Sequence, residues 1–206
     1  MSGKRMSKQQ RREQILAAAA EVFATTGYAA AGMREVATRA GISTPVLYDH
    51  FASKADLYAT LLEQQVNSLI DDWSAPTERV GAYDLLHDRV RAIYAWIEHN
   101  ELAWRMIFGE APSDEVVAQA HQRGQKRATE QLAGLFRLVP RLNLSVEIER
   151  DRADEVLAEA AKSALNAIAT WWWRNRDIPR EHIVALTADL LWRGLREITE
   201  NREDAQ

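Results

Sequence analysis

Between Met33 and Lys54 the chain has little freedom to choose a fold. Val36, Ala37, Ala40, Gly41, Ile42 and Leu47 put small or apolar residues where two short helices cross around a turn. Ala37 stands where a larger side chain would hold the helices apart, and Gly41 supplies the positive φ that ends the first helix and turns the chain. Ile42 and Leu47 then bury the turn and the inner face of the second helix. This is the pattern of a helix-turn-helix, so the leading expectation is that the chain reads DNA.

The second helix has its own start signal. Ser43 is placed to accept a hydrogen bond as N-cap, and Pro45 fits a first turn where a missing N–H does no harm. The exposed front then presents Thr44, Pro45, Val46 and Tyr48, which offer one hydroxyl, apolar surfaces suited to thymine methyls and a phenol. A third helix follows, since Ser53 and Asp56 have the spacing of a capping box. Lys54 falls at the N-terminus of that helix, where a cation opposes the helix dipole. A phosphate brought to the same N–H groups would account for it, with Tyr48 and His50 beside it.

Phe23, Gly27-Tyr28, Arg34, Val36-Ala37, Ala40-Gly41-Ile42-Ser43 and the run from Leu47 to Lys54 resemble the DNA-binding domain of TetR-family regulators. The resemblance implies an all-α chain. A three-helix helix-turn-helix domain, here residues 1–56, would bind double-stranded, near-palindromic operator DNA. A larger helical domain, residues 57–206, would dimerise and bind a small-molecule effector. It implies that Arg34, Thr44, Pro45 and Val46 face bases while Tyr48, His50 and Lys54 hold phosphates. The usual behaviour of the family further implies a repressor that the effector releases from its operator. Two positions depart from the pattern. Ala31-Gly32 stand where family members often carry Ser or Thr to cap the second helix and touch a phosphate. Asp49 puts an acid near phosphates unless it caps, pairs with a base such as Arg39, or accepts from a cytosine amine; all three readings stay open.

The charge is unevenly placed. The net charge of −4 over 206 residues combines eight bases and five acids in residues 1–60 with 18 bases and 25 acids beyond. A basic head on an acidic body suits a DNA-binding head on a ligand-binding body, although mild asymmetry also arises by chance. The first twelve residues hold Lys4, Arg5, Lys8, Arg11 and Arg12 and no acid, either as an arm reaching DNA or as a solvated tail.

No cysteine is present, which removes disulfides and thiolate chemistry and agrees with a reducing cytoplasm. No targeting segment or membrane span is read from the sequence, and no metal or cofactor is called for. The length suits one small and one medium domain, and 47% hydrophobic content excludes general disorder.

Almost every segment has helical period. Ile15, Leu16, Ala19, Val22 and Phe23 form one stripe before Gly27 stops the first helix. Leu57, Tyr58, Leu61, Leu62, Val66, Leu69, Ile70 and Trp73 mark a long helix ending before Pro76; in the family this is the lever between head and body. Further helices are expected from about Val80 to His99, around Leu102 to Phe108, from Ser113 to Val139 closed by Gly109 and Pro140, from Ala153 to Arg174, and from Pro179 to Arg202. Leu142 to Ile148 alternate with period two, and a loop laying alternate side chains on the body is favoured over an isolated strand.

Trp171-Trp172-Trp173 span roughly 200 degrees of a helix, more than one core can bury. The last helix spreads Ile183, Val184, Leu186, Leu190, Leu191, Trp192, Leu195 and Ile198 wider than one stripe, with Gly194 open to close approach. Trp171, Trp172, Leu190, Leu191, Gly194 and Leu195 are therefore the candidate homodimer interface, a four-helix bundle with two helices from each subunit. Trp96, Trp104, Phe108, His121 and Asn166 are candidate walls of an effector pocket for an apolar ligand, although each is individually more at home as core or surface. No H-E-x-x-H, G-x-S-x-G, G-x-x-x-x-G-K-[ST] or G-x-G-x-x-G occurs, and the adjacent pairs Glu98-His99 and His87-Asp88 are common on charged helices. No enzyme is expected. The rival reading is a helical sensor that acts through protein contacts without DNA, supported by Asp49 and Gly32.

Overall fold

The computed structural model describes residues 6–74, 81–109, 112–137 and 142–199, with side chains described as far as Leu195 in the last helix. Lys4, Arg5, the helix ends expected at Pro76, Val80, Val139, Pro140 and Arg202, and the side chain of Ile198 lie outside these residues. Among the described residues there are nine helices and no strand: α1 Lys8–Ala30, α2 Met33–Arg39, α3 Thr44–Tyr48, α4 Lys54–Ser74, α5 Ala82–His99, α6 Glu101–Phe108, α7 Glu115–Phe136, α8 Arg150–Trp173 and α9 Arg180–Thr199.

The chain separates into two compact units, Met1–Val66 with Leu102–Gly124, and Asn67–Glu101 with Gln125–Gln206. Residues of α6 and the first part of α7 thus belong with the three N-terminal helices. Met106 and Val117 join a core built on Ile15, Ala19, Val22 and Phe23 of α1, Val36 and Ala37 of α2, Leu47 of α3, and Leu57, Tyr58 and Leu61 of α4.

Helix α1 begins earlier than its apolar stripe. Ser7 and Gln10 close a reciprocal capping box, with the Ser7 hydroxyl accepting from the Gln10 amide at 3.1 Å and the Gln10 side chain accepting from the Ser7 amide at 2.9 Å. Lys8, Arg11 and Arg12 of the basic segment therefore stand on α1, while Lys4 and Arg5 lie outside the described residues. Its end is a kink: Gly27 has φ 72° and ψ 166°, and one further turn follows it. At the start of α4 the Ser53 hydroxyl accepts from the Asp56 amide at 3.1 Å, while the Asp56 carboxylate returns to the Ala52 amide, one residue before the N-cap, at 2.9 Å.

In the second unit α5 packs along α9, and α8 packs against both. Tyr94 lies in its core, with its hydroxyl 3.1 Å from the Thr187 hydroxyl and 3.4 Å from the Leu165 carbonyl; burial pushes the phenol pKa up to about 12. The three tryptophans at the end of α8 go three ways. Trp172 is 1% exposed, edge-on to Tyr94, with its indole N–H on the Ile178 carbonyl at 2.9 Å. Trp173 is half-buried beside the Arg176 guanidinium, and Trp171 is 50% exposed. Trp172 is thus corrected from interface candidate to core of its own subunit. Leu195 is half-buried against Ala133, Phe136 and Ala158, so its apolar surface is largely used within the body. Residues 142–149 form neither helix nor strand; Leu142 and Leu144 are half-buried, while Val146 and Ile148 are exposed.

Candidate nucleic-acid interface

Helix α2 ends in a Schellman turn. The Ile42 amide donates to the Ala37 carbonyl at 3.0 Å, the Gly41 amide donates to Thr38 at 3.1 Å, and Gly41 takes φ 64°. Val36, Ala37, Ala40 and Leu47 are each at most 2% exposed, so the crossing is closed on its inner side and only the front of α3 faces outward. Pro45 and Tyr48 are exposed, with Thr44 and Val46 half-buried beside them. Thr44 and Tyr48 are four residues apart and share a face, which sets a hydroxyl and a phenol together on the outer surface. Arg34 is exposed on α2.

Ser43 occupies the N-cap of α3 and Gly32 that of α2, and neither helix has a side-chain cap bond. Arg39 is paired with Glu21 at 2.6 Å, which spends the base considered as a partner for Asp49. Asp49 is the exposed C-cap residue of α3.

Helix α1 brackets this reading unit with two side chains that sequence reasoning did not assign. The Gln14 amide donates to the Ala40 carbonyl just before the turn, at 2.8 Å. The Arg12 guanidinium donates to the His50 carbonyl just after α3 at 2.9 Å, and lies 4.2 Å from the Phe51 ring centre. The signal was present in the sequence: Arg12 falls on the same helical stripe as Leu16, Ala19 and Phe23, an odd place for a base that only meets solvent. His50 is half-buried beside this contact.

Lys54 opens α4, and its ammonium lies against the end of α1. It donates to the carbonyls of Tyr28 at 2.8 Å, Ala29 at 3.2 Å and Ala31 at 3.1 Å, and sits 4.6 Å from the Tyr28 ring centre. The Tyr28 ring packs edge-on to Tyr58, centres 4.9 Å apart. Burial first, and then the Asp114 carboxylate at the Tyr28 hydroxyl, raise the Tyr28 pKa. Asp114 in turn caps α7, accepting from the amides of Val116 at 3.0 Å and Val117 at 3.3 Å.

The family model for "Bacterial regulatory proteins, tetR family" matches residues 15–61, the span that carries this geometry. The HTH-type transcriptional activator FasR of Mycolicibacterium smegmatis is 34% identical over 200 residues, which cover 95% of this chain and 88% of that one. The chain belongs to the TetR family. In fold it is similar to the fatty acid degradation regulator FadR of Bacillus halodurans, with TM-score 0.74, 18% identity, and coverage of 91% of this chain and 96% of that one. It is also similar to Bacillus subtilis FadR, solved in complex with stearoyl-CoA, with TM-score 0.69, 18% identity, and coverage of 90% and 98%. As a TetR-family member it is a DNA-binding transcriptional regulator.

The effector candidates do not gather in one compact unit. Trp104, Phe108 and His121 belong to the first unit, Trp96 and Asn166 to the second. Trp96 and Trp104 are buried, and the Trp96 indole N–H is on the Ser68 hydroxyl at 3.2 Å. A cavity of about 590 Å³ between α7 and α8 is lined by none of the five. Charged side chains contribute to its walls: Lys162, 8% exposed, donates to the Thr129 hydroxyl at 2.8 Å and pairs with Glu159 at 2.8 Å. The hydrogen bond from Lys162 is the main reason that the Glu159 carboxyl titrates below its ordinary range. Among the described residues no cluster of His, Cys, Asp and Glu could hold a metal ion, and no helix is long and apolar enough to cross a membrane.

Proposed function

We propose that this TetR-family regulator works in the cytoplasm as a homodimer that binds a near-palindromic operator and responds to a small-molecule effector, with no catalytic step of its own. The observation that carries the reading is the outward face of α3, where Thr44, Pro45, Val46 and Tyr48 stand on a closed helix-turn-helix with Arg34 exposed on α2. That set supplies thymine-methyl contacts and few base-specific hydrogen bonds, so recognition leans on apolar contacts and backbone positioning. DNA reading belongs to residues 1–56; effector binding and dimerisation belong to residues 57–206.

Exposed apolar stripes support the dimer. Val156 and Trp171 on α8 are 60% and 50% exposed, and Leu186 and Leu190 on α9 are 66% and 59% exposed. Leu186, Leu190 and the exposed Gly194 recur every four residues along α9, the spacing of one helix face. A two-fold bundle of α8 and α9 from each subunit would cover both stripes and fix the separation of the two α3 helices.

Transcription activation is the output favoured by the FasR relative, with the repression implied by the sequence resemblance as the alternative. The stearoyl-CoA in the Bacillus subtilis FadR structure makes long-chain acyl thioesters, apolar chains with an anionic head, the first effectors to screen. A differential affinity of about 1–3 kcal/mol between DNA-competent and incompetent states, acting at two symmetric sites, is enough to switch occupancy.

The test is binding of the purified protein to the DNA upstream of its own gene against a scrambled competitor over a salt series, followed by a reporter driven by that fragment. Competitor-resistant binding with higher reporter output supports the proposal. Lower output would restore repression. Binding to no fragment even at low salt would favour the sensor without DNA, the reading suggested by Asp49 and by the uncapped start of α2 at Gly32.

A further inference from the structure

We infer that Lys54 serves operator recognition as a positioning residue that clamps the end of α1 to the start of α4, and that it does not hold a phosphate. The inference rests on the DNA-binding reading above and changes the role of one residue within it. An ammonium has three N–H donors and no acceptor, and here three carbonyls lie within 3.2 Å of Nζ. To reach a phosphate, Lys54 would have to release at least one of them.

Those carbonyls need a donor. Helix α1 ends at Ala30, and its C-cap Ala31 turns the chain to ψ 134°, so the carbonyls of the last turn lack the amides of a continuing helix. The C-terminal end of the turn that follows Gly27 also falls there, and a cation is favoured at a helix C-terminus. Lys54 was anomalous as a cation at the N-terminus of α4; as the cap of α1 its sign is right. The Tyr28 ring beneath the ammonium adds a cation–π contact and restrains the long side chain.

The position of the clamp gives it a role in recognition beyond stability. Ala31 is one residue before Gly32, the N-cap of α2, so the clamp fixes where the chain enters the helix-turn-helix. Loss of Lys54 would let that entry drift. Arg34 and α3 would then meet the bases in a wrong register, while the charges that attract DNA without regard to sequence stay in place.

The test compares wild type, Lys54→Met and Lys54→Arg. Each is titrated by fluorescence anisotropy against a duplex recovered by the wild type from a random-sequence pool and against a scrambled duplex, over a salt series well below the unfolding temperature of every variant. A clamp predicts that both variants lose about tenfold or more in affinity for the selected duplex, the equivalent of one charge-assisted hydrogen bond. Scrambled-duplex affinity and the salt slope should be unchanged, and arginine should not rescue, because its planar fork does not point three donors at these carbonyls. A purely structural lysine would shift only the unfolding temperature. The inference is overturned if Lys54→Met weakens both duplexes alike and flattens the salt slope by about 0.9, the signature of one lost phosphate contact, while Lys54→Arg binds as wild type. If the wild type selects no duplex, the DNA reading itself fails. The clamp is then judged in the DNA-free protein by NMR: an exchange-protected Lys54 ammonium signal supports it, and a solvent-averaged one refutes it. The same measurement decides if Lys54→Met does not fold.

Discussion

Gly27 and Gly41 have similar positive φ values, 72° and 64°, yet they should respond differently to substitution. A Cβ added at either meets nothing within 4 Å, so neighbouring atoms contribute little and the backbone decides the cost. At Gly41 the Schellman bonds define a left-handed helical residue. Alanine there costs about 1–2 kcal/mol, offset by about 0.4–1 kcal/mol from a stiffer unfolded chain, for a net loss near 1 kcal/mol. Asparagine, which visits that region readily, should cost only a few tenths. Gly27 differs in ψ: at 166° it lies in a region that is almost glycine-only, with a strain of about 1–3 kcal/mol for other residues. The expected order of stability is wild type, then Gly41→Asn, Gly41→Ala, and last Gly27→Ala with Gly27→Asn no better. Urea unfolding followed by far-UV circular dichroism would read the midpoints, compared only among variants of equal m-value. Asparagine rescuing position 27 as well as position 41, or Gly41→Ala matching wild type, would refute the assignment of these two turns.

Four further outcomes follow from the body. Trp172→Ala should destabilise by about 3–5 kcal/mol in thermal or urea unfolding, as for other large buried aromatics. Trp171→Ala should stay within about 0.5 kcal/mol when dimerisation is held constant. Leu186→Arg combined with Leu190→Arg should convert a dimer in sedimentation velocity to the 23.4 kDa monomer at micromolar concentration, with helicity retained; a variant that remains dimeric removes these two residues from the interface. Tyr94 gives a pH signature. Its folded pKa of about 12 exceeds the unfolded value near 10, so its contribution is complete below pH 10 and is lost as pH rises toward 12. Tyr94→Phe should be less stable at neutral pH and should flatten the alkaline fall; an unchanged alkaline slope would show that other groups set it.

The helix-turn-helix was legible because its geometry depends on residue size at fixed spacing. Only small or apolar side chains fit at Ala37 and Ala40, and Gly41 marks the one residue of that turn with positive φ. The body helices were legible by period, with starts displaced by one to three residues; Asp114 caps α7, while α5 and α8 start without a side-chain cap that the sequence could have signalled. Ser7 and Gln10 carry the same capping logic as Ser53 and Asp56, but the bases around them suggested an arm or a solvated tail. The three tryptophans show the opposite limit. Helix geometry says that they cannot all be buried together, yet only α5, through Tyr94, selects Trp172. The effector pocket stayed illegible for a related reason. Isolated aromatics on apolar stripes look alike in sequence whether they fill a core or line a cavity, and the cavity between α7 and α8 is built from charged residues that read as ordinary helix surface.

Charge counting met a deeper limit. Residues 1–60 have a net positive charge, but the fold spends much of the basic part before DNA arrives. Arg12 is on the His50 carbonyl, Arg39 is on Glu21, and Lys54 is on three carbonyls of α1. Arg12 and Lys54 tie the segments on either side of the helix-turn-helix to neighbouring carbonyls, while the Arg39–Glu21 pair is more than half exposed. Lys8 and Arg34 remain among the exposed bases of α1 and α2. Neutralisation of the DNA backbone must therefore lean on those side chains, on main-chain N–H groups and on a second subunit, and a dimer doubles every such contact at no further demand on the sequence. An acidic chain can bind a polyanion on these terms, because the field near the interface depends on which charges the fold leaves uncommitted there, and the sum over 206 residues does not report it.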